Sequence, residues 1–315
     1  MALMLLAAGW AADLGRGAPA LHVATVDHGL RAESSAEAAQ VAAMAAGLGL
    51  PHATLPWLGP KPRTRIQESA RAARYALLAE HARVLGADHV LVGHHADDQA
   101  ETVLMRFGRG SGIAGLAGMR RETPLGDGVT LVRPLLDVPK ADLVTLCRDA
   151  GLAVIDDPSN RDPAYARARL RADAPLLSRL GLGRTTLRKL ARRAARADAA
   201  LEAETDRVDA LIGSYSEAYG ASLAAHRDIE PEILLRLLRR AVAHVAPAPG
   251  LLRLERLERL TDALLAAIRE ARPCRATLGG ARVILDADAV LTVTPAPPRQ
   301  RGQVGVAART RAGLD

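Results

Sequence analysis

The residues of this 315-residue chain best equipped for chemistry stand between Asp88 and Thr102, in the run DHVLVGHHADDQAET. A short apolar piece, His89 to Val92, ends at Gly93, and from His94 the pattern turns helical. Its length and branched residues predict a buried strand. Residues three and four apart are neighbours on a helix, so His94, Asp98 and Glu101 are expected to share one face with Asp97 beside them. One imidazole and three carboxylates then gather where a strand hands over to a helix, and in parallel α/β sheets that edge is where ligands sit. Hard oxygen donors of this kind suit Mg²⁺, which is commonly held by one or two carboxylates together with substrate phosphates. Acids in a first helical turn also offset the helix macrodipole, and for the acids alone that reading stays open. The adjacent histidines His94 and His95 favour the functional one.

The elements that must position these side chains read as alternating strands and helices. Leu21–Val26 is a strand with Asp27, His28, Gly29, Leu30 and Arg31 in the turn at its end. Ser34 to Glu37 is a capping box opening an Ala-rich helix that closes at Gly47 or Gly49. A short strand near His52–Leu55 and a Pro-rich loop through Pro62 follow, and a second capping box, Thr64 to Gln67, opens a helix with Arg71, Arg74 and Tyr75 on one side. Past Thr102 come Arg109-Gly110-Ser111-Gly112 and a Gly-rich run to Met119. Glycines let a backbone approach phosphate or a base, although any tight turn uses them too. Val129–Val132 reads as a strand leading into Arg133–Leu136, and Pro139 starts a helix ended by Gly151. A turn cluster at Asp156–Asn160 precedes Tyr165 and the alternating Arg167, Arg169 and Arg171. Such alternation means βαβ units and a parallel sheet.

From about Gly181 the periodicity is helical almost to Arg272, with a long basic helix from Thr185 to about Leu211. Residues 276–294 regain a strand-like pattern with a turn at Gly279-Gly280, and the tail from Pro295 reads as disordered. The expected division is an α/β part over 1–180, a helical part over 181–272, and a short strand-like segment with a tail over 273–315.

Composition, 49% hydrophobic and 24% charged, allows a sizeable core and excludes a disordered chain. The two cysteines, Cys147 and Cys274, stand far apart with no CxxC, which argues against a disulfide framework or a structural zinc site and fits a reducing, cytoplasmic setting. The formal charge of +7 is unevenly spread. From Arg161 to Arg196 eleven Lys and Arg face two acids, Asp162 and Asp173, a balance of +9 that leaves the remainder at −2. One basic patch is the footprint of a polyanion partner, with a solvated Arg-rich helix face as the bland alternative. No stretch approaches the ~20 apolar residues of a membrane span. Met1–Ala12 lacks a basic segment before its apolar part and runs straight into Asp13, unlike a signal peptide, so no membrane partner is expected.

Several of these stretches together resemble the tRNA(Ile)-lysidine synthetases, of the N-type ATP pyrophosphatase group. The matching pieces, in family order, are VDHGLR (Val26–Arg31), QESARAARY (Gln67–Tyr75), GHHADDQAETVLMRFGRGSGIAGLAGM (Gly93–Met119), RPLL (Arg133–Leu136), DDPSN (Asp156–Asn160) and YARARLR (Tyr165–Arg171). TLGG near Thr277 is a weaker likeness. The resemblance implies an adenine nucleotide alpha hydrolase-like fold, a doubly wound parallel sheet with its first strand missing here, and a second, helical domain. It implies an enzyme that uses ATP to adenylate the C2 oxygen of the wobble cytidine in the CAU anticodon of tRNA(Ile), after which L-lysine attacks C2 and expels AMP. It further implies that Asp97, Asp98 and Glu101 hold Mg²⁺ on the phosphates. His94 would sit at the reacting α-phosphate or cytosine, with Asp98 and Arg109 as its catalytic companions. Asp27, His28 and Arg106 would line the ATP site, and Arg71, Arg74, Arg133, Arg167, Arg169 and Arg171 would grip tRNA. The oligomeric state is left open, a homodimer included.

This sequence departs from the family pattern in two places. The family's pyrophosphate loop, serine–glycine–glycine–any–aspartate–serine, is not found, and the first helix, with no cap and no preceding strand, resembles the one that follows that loop. The expectation is a start codon assigned too far downstream, with a truncated non-catalytic tRNA-binding remnant as the rival; the chain as given is then expected to bind tRNA without making lysidine. Secondly, Ala168 stands where the family shows Asn between the arginines. A related tRNA thiolase is a further alternative, but it needs catalytic or cluster-binding cysteines.

Overall fold

The computed structural model describes residues 1–30, 34–62, 64, 66–152, 166–246 and 252–297. Arg31, Asp156–Asn160, Tyr165 and the tail from residue 298 lie outside the described residues. The chain forms two compact units, Met1–Ala197 and Asp198–Asp315.

The first unit opens with helix α1 (Ala2–Leu14) and strand β1 (Val23–Asp27), followed by α2 (Ser34–Gly47), β2 (His52–Pro56), α3 (Ile66–Leu85) and β3 (His89–Leu91). Then come α4 (Ala96–Phe107), the short α5 (Ile113–Leu116), β4 (Glu122–Gly126), β5 (Val129–Val132), α6 (Lys140–Asp149), α7 (Ala166–Ala172) and α8 (Ala174–Arg179). The first part of α9 (Arg184–Ile212) completes it. Strands β1 and β2 pair in parallel, Val23 opposite His52. β3 pairs in parallel with β5, His89 opposite Thr130, and β4 lies antiparallel on the other side of β5. The α/β reading with parallel pairing holds. Because β3 and β5 run the same way, the residues that follow them, His94 and Arg133, leave the sheet at one edge.

Two local readings need correction. β3 is not buried: His89 and Leu91 are exposed, since among the described residues this three-residue strand is paired on one side only. β4 is a strand the sequence reading passed over. Pro124 and Gly126 weaken its strand pattern, and it survives as an edge strand where a missing N–H is tolerated. It is joined to β5 by Asp127 and Gly128, both at positive φ, 49° and 78°. That is the two-residue Asp-Gly turn whose twist suits a hairpin.

The second unit differs from the expected helical region. The later part of α9 is followed by β6 (Gly213–Tyr215), β7 (Tyr219–Ser222), α10 (Pro231–Val245), α11 (Leu254–Arg269), β8 (Cys274–Leu278), β9 (Ala281–Leu285) and β10 (Val290–Pro295). The strands form one antiparallel sheet in the order β6-β7-β10-β9-β8. β6 and β7 are three and four residues of mostly small side chains, too short to show an alternation in the sequence. The strand-like segment after residue 273 is therefore part of a sheet begun 60 residues earlier, and Pro295 closes β10 instead of opening a tail. Leu234, Leu238, Leu264, Ile268, Leu285 and Val293 are its fully buried core. No helix among the described residues is long and apolar enough to cross a membrane.

Candidate active site

The helical turn begins two residues later than its pattern predicts. His95, with extended backbone angles, is the N-cap of α4, its Nδ1 accepting from the Asp98 N–H at 3.4 Å while its own N–H donates to Asp98 Oδ2 at 3.1 Å. His94 thus stands before the helix, and only Asp98 and Glu101 share a helical face. The neighbouring carboxylate, Asp97, is buried and turned elsewhere: Oδ1 accepts the N–H of Lys140 at the start of α6 (3.2 Å), and Oδ2 faces Arg184 at 2.8 Å. Glu101 is held by Arg171, whose Nε donates at 2.5 Å and Nη2 at 3.2 Å, with Arg167 at 3.9 Å. Arg171 also approaches Asp98 to 3.8 Å.

Among the described residues no group of three or more His, Cys, Asp or Glu side chains converges as a metal site. Each carboxylate has a cation or a backbone N–H as its partner in this structure. The guanidinium of Arg171 is correspondingly pushed up by its bond to Glu101.

The positive side of the site is built by other elements. Around His94 stand Arg71 from α3, Arg133 after β5 and Arg167 from α7, all close enough to act on its charge. Burial, with these three cations outweighing the opposing pull of Asp98, lowers the imidazole from 6.5 to about 4, so it is neutral at physiological pH. Arg71 is itself lowered, first by withdrawal from water and then by Arg167, Arg133 and Arg74, while Arg106 is lowered by burial and by Arg71 and Arg133. Guanidiniums that depress one another are crowded beyond what their local acids neutralise, the condition of an anion site. His28 belongs to the same cluster: its Nε2 lies 3.2 Å from Arg74 Nη2, and burial lowers it too. Arg133 is buried and fixed, its Nη1 donating to the Arg120 carbonyl (2.7 Å) and the Thr123 hydroxyl (2.9 Å).

Two residues expected to line an ATP site make structural contacts. Asp27 accepts the Gly29 N–H (2.9 Å) and the hydroxyls of Ser34 (2.5 Å) and Ser35 (2.8 Å), fixing the turn into α2, and these bonds hold its carboxyl below the usual range. Arg106 donates through Nη1 to the carbonyls of Gly115 (3.1 Å) and Gly118 (2.6 Å). It braces the loop between α4 and β4 from inside. Gln99 completes that brace, its amide donating to the Met119 carbonyl (3.0 Å) and accepting the Met119 N–H (2.7 Å). Gly118 must be glycine there, because φ is +73° and a Cβ would lie 2.6 Å from Gln99 Oε1. The loop presents Arg109, which is exposed, as is Arg169 on α7.

Gln99 and Arg184 were missed by the sequence reading. Gln99 had a signal in its position on the buried side of α4, one residue from the acids. Arg184 had none, being 87 residues from the carboxylate it faces. Cys147 is buried in α6 and Cys274 belongs to the other unit; both are free.

Compared with known proteins, the PP-loop domain family matches residues 1–176. The tRNA(Ile)-lysidine synthase of Rhodopseudomonas palustris is 51% identical over 313 residues, covering 96% of this chain and 89% of that protein. The tRNA(Ile)-lysidine synthase of Methylobacterium nodulans is 50% identical over 287 residues, 89% of this chain and 84% of that one. Among solved structures, the U34-tRNA thiolase NcsA from Methanococcus maripaludis is similar over 61% of this chain and 68% of that chain, with a TM-score of 0.49 and 16% identity.

Proposed function

The chain belongs to the tRNA(Ile)-lysidine synthase family of PP-loop proteins, and from that premise we propose that it uses ATP to join lysine to C2 of the wobble cytidine in the CAU anticodon of tRNA(Ile). The C2 oxygen attacks the α-phosphate of ATP and pyrophosphate leaves; the lysine amine then attacks C2, and AMP departs with the oxygen. The observation that supports this from the fold is the guanidinium cluster around a neutral His94 at the sheet edge.

Both steps develop negative charge on phosphate oxygens, and preorganised cations in a partly water-excluded site stabilise it without reorganising. Arg71, Arg133 and Arg167 are placed for that task. A neutral His94 offers the reacting oxygens a hydrogen bond without adding to the crowding of charge. The same positive field disfavours an incoming ammonium, so the attacking lysine is biased towards its neutral, nucleophilic amine. Exposed cations, Arg109 and Arg169 among them, serve tRNA phosphates as positioning contacts. Asp97, Asp98 and Glu101 hold arginines and backbone in this reading.

The test is to supply the full protein with tRNA(Ile) transcript, ATP and labelled lysine, and to follow AMP and lysine incorporated into tRNA. Arg71→Ala should slow AMP formation roughly 100-fold or more, as loss of one preorganised donor does. A wild-type protein that releases AMP but leaves lysine off the tRNA would overturn the reading.

A further inference from the structure

Side-chain nitrogens and oxygens that are buried without a hydrogen-bond partner are rare in folded proteins, since the great majority are satisfied. The first unit has six such atoms among its described residues, and four of them belong to the cluster at the sheet edge: His28 Nδ1, Tyr75 Oη, His94 Nδ1 and Arg133 Nε. Tyr75 is not accounted for by anything above. It lies one turn beyond Arg71 on α3, with the Arg71 Cζ 4.9 Å from its ring centroid, a stacking that fixes the direction of that guanidinium. Its hydroxyl is close enough to act on Arg71 electrostatically.

We propose that Tyr75 is a binding residue of this site, its ring orienting Arg71 and its unpartnered hydroxyl donating a hydrogen bond to a phosphate oxygen of the bound substrate. The ligand class follows from the neighbours. Arg71 is flanked by Arg74, Arg133 and Arg167, and a group that satisfies all of them must be an anion with several acceptor oxygens. A phenol is the suitable fourth kind of donor, because it contributes an O–H without a further positive charge. The inference rests on the proposed function for the identity of the substrates. Two of them carry phosphates, the polyphosphate of ATP and the backbone of tRNA.

The test is Tyr75→Phe in the full protein, which keeps the ring and its stack on Arg71 and removes only the hydroxyl. Three quantities are measured: the melting temperature, the equilibrium Kd for ATP, and the Kd for tRNA(Ile). An unpartnered buried hydroxyl contributes desolvation cost and no bond, so the melting temperature should stay level or rise. One Kd should weaken by roughly 10- to 100-fold, the worth of a hydrogen bond to a charged oxygen. A weakened ATP Kd assigns the hydroxyl to the nucleotide, and a weakened tRNA Kd assigns it to the nucleic acid. Both constants within about twofold of wild type would overturn the proposal, and so would a lowered melting temperature with binding of both ligands equally weakened, the mark of a structural role. Both are binding constants, readable in a protein that makes no lysidine, so failure of the function reading and failure of this inference are told apart.

Discussion

Lowering the pH should expose the cost of keeping His94 neutral. Its imidazole stands at about 4 in the folded chain against an ordinary 6.5, because burial and the cations Arg71, Arg133 and Arg167 outweigh the attraction of Asp98. Between those two values the unfolded chain binds a proton that the folded chain refuses. Stability should therefore be independent of this group above about pH 7 and fall as the pH is lowered through 6.5 towards 4. At about pH 5 the two values correspond to roughly 2 kcal/mol. His94 keeps part of its surface in water, so screening reduces the expected loss to about 1–2 kcal/mol.

Other groups titrate over the same range, so the measurement is a difference. Urea unfolding of wild type and His94→Asn at about pH 7.5 and about pH 5 removes their shared contributions. Wild type should lose about 1–2 kcal/mol more than the variant on going to the lower pH. Equal losses in the two proteins would refute the lowering of the His94 imidazole by its buried surroundings. A larger loss in the variant would reverse its sign.

The remaining expectations concern the scaffold. Arg236 on α10 is 1% exposed and bonded to Asp198 (2.8 Å), Glu202 (2.5 Å) and Glu232 (2.8 Å), so Arg236→Ala should cost about 3 kcal/mol by removing the buried guanidinium that the three carboxylates share, although Glu202 keeps Arg239 and Arg240. Chemical unfolding checks this, and a loss under about 1 kcal/mol would mean the network is solvated. Gly118→Ala should cost about 1–3 kcal/mol and lower lysidine formation, since it strains a left-handed residue and strikes Gln99. Adding Gln99→Ala should recover part of that loss; strict additivity in the double-mutant cycle would show that the two do not meet.

What could be read from the sequence divides by distance along the chain. The strand–helix alternation, the start of α6 at Pro139 and the hairpin at Gly279-Gly280 are written in neighbouring residues, and they appear in the fold close to where the pattern puts them. His94 was legible as a candidate residue for the same reason. Its protonation was not, because three of the charges that set it come from α3, from the residue after β5 and from α7, elements apart in sequence. The missed β4 is a different case. Asp127-Gly128 is a hairpin signal present in the sequence, but the strand before it is weakened by Pro124. The antiparallel sheet of the second unit was illegible for want of length, since β6 and β7 bring seven residues between them.

The carboxylates of α4 carry the lesson furthest. By spacing alone, Asp97, Asp98 and Glu101 are free oxygen donors waiting for a cation, and the segment from Arg161 to Arg196 is a free positive surface waiting for a polyanion. The fold introduces the two to each other: Arg171 is bonded to Glu101 and near Asp98, Arg184 faces Asp97, and Arg188 reaches Asp137. Part of the +9 balance is thus spent inside the first unit, and the charge left to meet nucleic acid is smaller than the residue count. Of the cations around His94, Arg71 and Arg133 come singly from elements outside that charge run, while Arg167 comes from within it and lies 3.9 Å from Glu101. Net charge locates the surface that can attract a polyanion; crowding of like charges against a neutral imidazole marks the candidate place for phosphate chemistry.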